Sequence, residues 1–175
     1  MKKLITILAV FCSTLAFSQN STTLKSNDIV TNPVALVLGA VNVEYERIIS
    51  ENSGIGVTTS FLLDDYIIDD NNGFSITPYY NYYFGKKRAN GFYIGGYCSI
   101  NSGDVEKSYY VSSQYGGYTM YTTEKETNFG VGFKFGGKWV VKNDIVLEIG
   151  TGLGRNFGGE NKVNTTGMLG IGKRF

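Results

Sequence analysis

Residues 164–175 read Asn-Thr-Thr-Gly-Met-Leu-Gly-Ile-Gly-Lys-Arg-Phe, NTTGMLGIGKRF. Gly167, Leu169, Ile171, Lys173 and Phe175 share one parity; Thr166, Met168, Gly170, Gly172 and Arg174 share the other. A period of two with apolar residues on one side is the pattern of a strand that buries one face. Nothing follows Phe175 to cover this strand, and an open sheet would leave it as an exposed edge. Closure into a barrel, last strand paired to first, removes the edge.

The same alternation recurs along the chain. Residues 39–48 place Val41, Val43 and Tyr45 opposite Asn42, Glu44 and Glu46. Residues 54–65 carry Ile55, Val57, Thr59, Phe61 and Leu63 on one face. Residues 74–84, 91–101, 126–141 and 144–156 alternate likewise and read as strands, although Pro78 falls inside the first of these runs, where proline is normally unfavourable in a central strand. Residues 24–32 form a weaker candidate strand, and 33–38 read as an apolar connection. Residues 102–125 show no clean period and read as a long Tyr-rich connection, with the extension of the flanking strands into part of it left open. Tight turns after residues 48, 84 and 141 alternate with longer connections before 74, 126 and 164. In membrane barrels turns lie in the periplasm and loops outside. An exported chain with both ends on the periplasmic side needs an even strand count, so residues 24–32 are expected to supply an eighth strand.

The amino terminus is of a different kind. Lys2 and Lys3 precede an apolar run, Leu4 to Leu15, and Ala16-Phe17-Ser18 offers small residues for cleavage. Residues 1–18 are therefore expected to be a cleaved signal peptide, leaving residues 19–175 as one barrel domain. The run is shorter than the ~20 residues of a spanning helix. Loss of Lys2 and Lys3 leaves 14 basic residues against 15 acidic ones. That near-neutral balance argues against nucleic acid as a partner. Cys98 is the single cysteine beyond residue 18, so no intramolecular disulfide is expected. With 23 Gly, 13 Tyr and 11 Phe against 2 Pro, strand and turn formers dominate. No helical period stands out after residue 18.

An eight-strand meander can bury its apolar parity inward, as a soluble lipocalin-like carrier with an apolar cavity does, or turn it outward to lipid. The opposite parity favours lipid. It carries Glu44, Glu46, Lys134, Lys138, Glu148 and Arg174 among many glycines. Glycine on a water-facing strand surface only weakens the strand. Inside a narrow barrel it makes room for large partners such as Tyr79, Tyr83, Tyr93 and Tyr97. The six charged residues are expected to form a polar lumen network of paired charges, because unpaired buried charge is costly. On the outward parity Arg47, Lys173 and Arg155 fall at strand ends, where a cation reaches headgroups. Tyr45, Tyr82, Phe84, Trp139 and Phe175 gather at the periplasmic ends, as an aromatic girdle should.

The segments VNVEYERII (41–49), SITPYYNYYFGKK (75–87), GFYIGGY (91–97) and GIGKRF (170–175), ending on an aromatic residue, resemble small OmpA/OmpX-type eight-stranded outer-membrane barrels, families without an assigned activity. The likeness spans residues 24–175. It implies an all-β antiparallel up-and-down transmembrane barrel in the bacterial outer membrane. It also implies contact with lipid, and recognition of the closing strand by the barrel-assembly machinery.

Catalytic chemistry finds little support. The chain has no His, which removes Ser-His-Asp and Cys-His catalysis and His-based metal sites. Cys98 sits on the apolar parity and reads as a buried, inert thiol. Gly150-Thr151-Gly152-Leu153-Gly154 lies in a strand pattern and opens no helix, so it is no nucleotide loop. Asp64, Asp65, Asp69 and Asp70 lack the spacing of a calcium loop. No enzyme, cofactor or metal is expected. Residues 102–125 are the candidate surface for an extracellular partner, since loops carry function and Tyr suits interfaces.

Overall fold

The computed structural model describes residues 24–63, 73–113, 116–158 and 161–175. The expected signal peptide and Asp64, Asp65, Asp69 and Asp70 lie outside the described residues. Eight antiparallel strands close into a barrel in sequence order: β1 (Asn27–Thr31), β2 (Ala40–Ile48), β3 (Ser53–Leu62), β4 (Phe74–Tyr83), β5 (Gly91–Ser113), β6 (Gly116–Val140), β7 (Ile145–Phe157) and β8 (Val163–Arg174). The closing seam pairs β8 with β1, Arg174 with Asp28 and Gly172 with Val30. The weak candidate at 24–32 is thus a strand, shortened to five residues.

Register sets the shape. From Asp28 the paired residues run through Glu46, Gly56, Tyr79, Tyr97, Gly132 and Gly154 to Asn164. Asp28's own partner on β8 is Arg174, ten residues beyond Asn164. Closure with such a stagger tilts the strands by roughly 35–45° to the axis. Alternate side chains then point into a narrow lumen and out of the barrel.

Two elements depart from the sequence reading, and a third accommodates an unfavourable residue. Residues 33–37 are a one-turn helix, α1 (Pro33–Val37), where a connection was expected. Asn32 Oδ1 accepts from the amides of Val34 and Ala35, both at 3.1 Å, and Pro33 occupies the first turn. That is a strong helix start, because the cap satisfies orphan amides and proline has none to lose. Gly39 ends the turn at φ 89, a conformation that suits glycine.

Residues 102–125 are no loop. β5 and β6 continue as one long hairpin, paired from Gly91–Lys138 out to Ser113–Gly116. β4 leaves β5 at Ser102 and β7 leaves β6 at Phe129, so the outer part of the hairpin stands beyond the barrel with no strand on either side among the described residues. Alternation fails there because neither face is buried.

Pro78 does occupy a strand between two neighbours. It pairs with Val57 on β3, while the β4–β5 ladder skips from Ile76–Ile100 to Tyr79–Tyr97. The missing donor falls in that gap, and the ring points out of the barrel.

Candidate functional site

The lumen is built in layers from the end where β1 begins and β8 ends. The β4–β5 turn folds beneath it. Ala89 is fully buried and packs with Ile48, Tyr83 and Tyr93 as an apolar floor plug. The turn is pinned by Ala89 N–H donating to Glu51 O at 2.8 Å.

Above the plug lies a buried ion cluster. All six charged residues picked from the sequence are in the lumen. Lys138, with no exposed surface, is its hub. Its Nζ lies 2.6 Å from Glu46, 3.0 Å from Glu148, 3.4 Å from Glu44 and 3.8 Å from Asp28. Lys134 Nζ is 3.3 Å from Glu44 and 3.7 Å from the centre of the Tyr79 ring. Tyr79 and Tyr83 donate their hydroxyls to Glu46 at 3.1 and 2.7 Å, and Tyr93 donates to Glu148 at 2.8 Å. The large tyrosines therefore serve the carboxylates as donors, so desolvated oxygens are not left bare.

Arg174 binds a residue the sequence reading missed. Its Nε and Nη2 donate to Asp28 at 2.7 and 2.8 Å, a two-point contact that suits the guanidinium fork. Nη1 and Nη2 also donate to Arg88 O and Ala89 O, tying the closing strand to the plug. Asp28 lies in the shortest strand, where alternation is too brief to assign a face. The closing register would have placed it opposite Arg174.

The glycines of the inward parity leave the space these side chains occupy. A Cβ on Gly56 would meet the Tyr79 ring, one on Gly132 the Tyr97 ring, and one on Gly150 the Tyr93 hydroxyl.

Toward the other end the lumen changes character. The described side chains that line it are uncharged and mostly short, and a cavity of about 230 Å³ opens there. The expected side-chain-filled lumen is thus filled in its terminal half only, because Ser, Thr and Asn do not reach across it.

The outward surface is apolar around the whole barrel. Phe133 is 73% exposed and Phe92 70%, with Ile94, Phe135, Leu153 and Leu169 among many others. This overturns the lipocalin-like alternative, which requires an apolar interior and a polar skin. Cys98 also faces outward and is exposed, where a buried thiol was expected. It stands on the apolar parity beside Val131, and that parity points away from the lumen. Tyr45, Tyr82, Phe84, Trp139 and Phe175 all project outward near the termini, with Tyr82 edge-on to Phe84 at 5.3 Å. Arg47 and Lys173 sit at that same end, and Arg155 near the opposite one.

On the protruding hairpin Tyr109, Tyr110, Tyr118, Met120 and Tyr121 are exposed. Lys107 donates to Glu124 at 2.6 Å and holds its carboxyl below the ordinary range. No cluster of metal-ligating side chains exists among the described residues.

A closed eight-stranded antiparallel barrel with a charged lumen and an apolar exterior is the class of protein these features define. The chain belongs to the family described as Protein of unknown function (DUF3575), whose model matches residues 5–167. A comparison with curated proteins finds no match. Among solved structures the chain is similar to the N-terminal β-barrel domain of Pseudomonas aeruginosa OprF, at 12% identity over 86% of this chain and 98% of that one, with a TM-score of 0.46. It is also similar to the Yersinia pestis outer membrane protein Ail in a phospholipid bilayer nanodisc, at 14% identity over 87% of this chain and 100% of that one, with a TM-score of 0.48. The architecture stated above rests on this chain's own strand pairing.

Proposed function

We propose that this protein is a non-enzymatic integral protein of the bacterial outer membrane that presents the β5–β6 hairpin as a contact surface outside the cell. The observation that carries this reading is the continuous apolar exterior around a charged interior. Exposed apolar area on that scale is unfavourable in water and favourable in hydrocarbon. A closed barrel is also one of the two backbone structures that satisfy every peptide group in a bilayer. Outward cations confined to the strand ends fit the same picture, since Arg or Lys at mid-depth costs ~2–4 kcal/mol.

In this reading residues 1–18 direct export and are removed. The assembly machinery engages β8, and the aromatic residues near the termini sit at the periplasmic interface. The buried ion cluster and the Ala89 plug block bulk flow. The hairpin's two edges, which pair with no other strand among the described residues, and its exposed tyrosines suit a protein partner, because edge strands and amphipathic rings both favour contacts.

Fractionation together with one substitution tests the membrane reading. The wild-type protein is expected in the detergent-extracted membrane fraction. Phe133→Arg, midway along the outward face of β6, is expected to abolish or strongly reduce assembly. A wild-type chain that stays soluble without detergent, or full assembly of Phe133→Arg, would overturn it.

A further inference from the structure

We propose that the outer half of the lumen is a binding site for one neutral, polyhydroxylated molecule of monosaccharide size. The cavity of about 230 Å³ lies on the side of the ion cluster away from the termini. It falls just below the ~300–1,000 Å³ of pockets for drug-sized ligands, which fits a single sugar ring or a smaller polyol.

The chemistry of the wall selects the ligand. Among the described residues no charged side chain lines the cavity. Below it, Glu44 is already engaged by Lys134 and by Thr58, whose hydroxyl donates at 3.0 Å. An ion entering would lose hydration and meet no counter-charge, which is unfavourable. An apolar molecule would strip water from a wall of amides and hydroxyls for no return. A molecule bearing several hydroxyls replaces that water group for group.

The wall is also held in place before any ligand arrives. Ser75 donates to Asn101 Oδ1 at 2.7 Å. Asn164 Nδ2 donates to Ser99 at 2.9 Å and to Asn156 Oδ1 at 2.8 Å, while its own Oδ1 accepts from Tyr97 at 2.8 Å. Asn42 Nδ2 donates to Ser60 at 2.8 Å. These bonds engage the amide oxygens of Asn101, Asn156 and Asn164 but not that of Asn42. Asn42 Oδ1 is shielded from solvent yet has no hydrogen-bond partner among the described residues. A buried orphan acceptor is costly, and a turn of the Asn42 amide toward the cavity would let a ligand hydroxyl donate to it. Beside it Ala40 and Leu62, paired across β2 and β3, add a small apolar patch against which the C–H face of a sugar packs.

The test is an amide chemical-shift titration of the ¹⁵N-labelled protein, purified from membranes into detergent micelles. The probes are glucose, glucosamine (cationic) and glucuronate (anionic). Glucose is expected to give saturable shifts at Asn42, Ser60, Asn101 and Asn164 and to leave the outward residues of β6 unmoved. The two charged analogues are expected to bind at least tenfold more weakly. Asn42→Ala, which enlarges the cavity, is expected to weaken glucose roughly three- to tenfold through loss of one hydrogen bond. Ser60→Leu and Ser75→Leu, on two different strands, each fill the cavity, and whichever assembles is expected to abolish the shifts. Maltotriose run in parallel separates sources: binding as tight as glucose marks the end of a glycan as an acceptable ligand, and exclusion marks a free sugar. Absence of saturable shifts with glucose, equal affinity for the charged analogues, or unchanged glucose binding in Asn42→Ala would overturn the proposal.

Discussion

Lys138 concentrates the energetics of the lumen in one side chain. It lies within 4 Å of four carboxylates, all of them buried. Desolvating these charges is expensive, and the pairing offsets the cost only while the set is complete. Lys138→Met removes the central cation and leaves the carboxylates facing one another. It is expected to lower unfolding stability by about 3–5 kcal/mol, the loss typical of a broken buried pair, measured by denaturant titration of the folded protein. Glycine positions show the same sensitivity through space rather than charge. At Gly172 a Cβ would run into the carbonyl of Ile29 across the closing seam, whereas at Gly167 it would meet nothing within 4 Å. Gly172→Ala is therefore expected to impair closure, read as loss of the compact form on unheated gels. Gly167→Ala is expected to stay within ~0.5 kcal/mol of wild type. Both glycines belong to the same strand and look alike in sequence, although their opposite parities already separate seam from surface.

Among the elements, the β5–β6 hairpin and α1 were the least legible, for different reasons. Alternation reports a difference in environment between two faces. Where β5 and β6 leave the barrel, Tyr109 and Tyr110 are adjacent residues on opposite faces, and both are exposed. No period survives that symmetry. The hairpin also contributes little burial to the barrel. Replacing Val105–Glu124 by an Asn-Gly turn is expected to leave the denaturation midpoint of the barrel within the equivalent of ~0.5–1 kcal/mol. Failure of that variant to assemble would make the hairpin part of the folding unit. For α1 the signal was present in Asn32-Pro33, a cap followed by a first-turn proline, but five residues are too few for a helical period. Pro78, unfavourable in a central strand in general, is accommodated here by a gap in one ladder.

For the whole molecule, the two ends of the barrel differ in chemistry and therefore in orientation. The end where β1 begins and β8 ends carries the Ala89 plug, the aromatic residues and short turns; the other carries the open cavity and the hairpin. In the membrane reading Lys125 faces the outside and the Lys86-Lys87-Arg88 turn faces the periplasm. Trypsin added to intact cells is expected to cut at the hairpin and spare that turn, which is cut only after the outer membrane is permeabilised. The opposite pattern would invert the orientation.

By itself the sequence determined the barrel class, the parity of nearly every strand, and which charged residues share the lumen. A period of two is a local property, and charge on the glycine-rich parity could be explained only by an enclosed interior. The tertiary structure alone decided who pairs with whom. Arg174 takes Asp28 rather than Glu44 or Glu46 because the ten-residue stagger brings β1 and β8 together at that height. The same stagger gathers short polar residues from different strands at one level of the lumen, and that height-by-height sum, which no single strand records, leaves the outer half open.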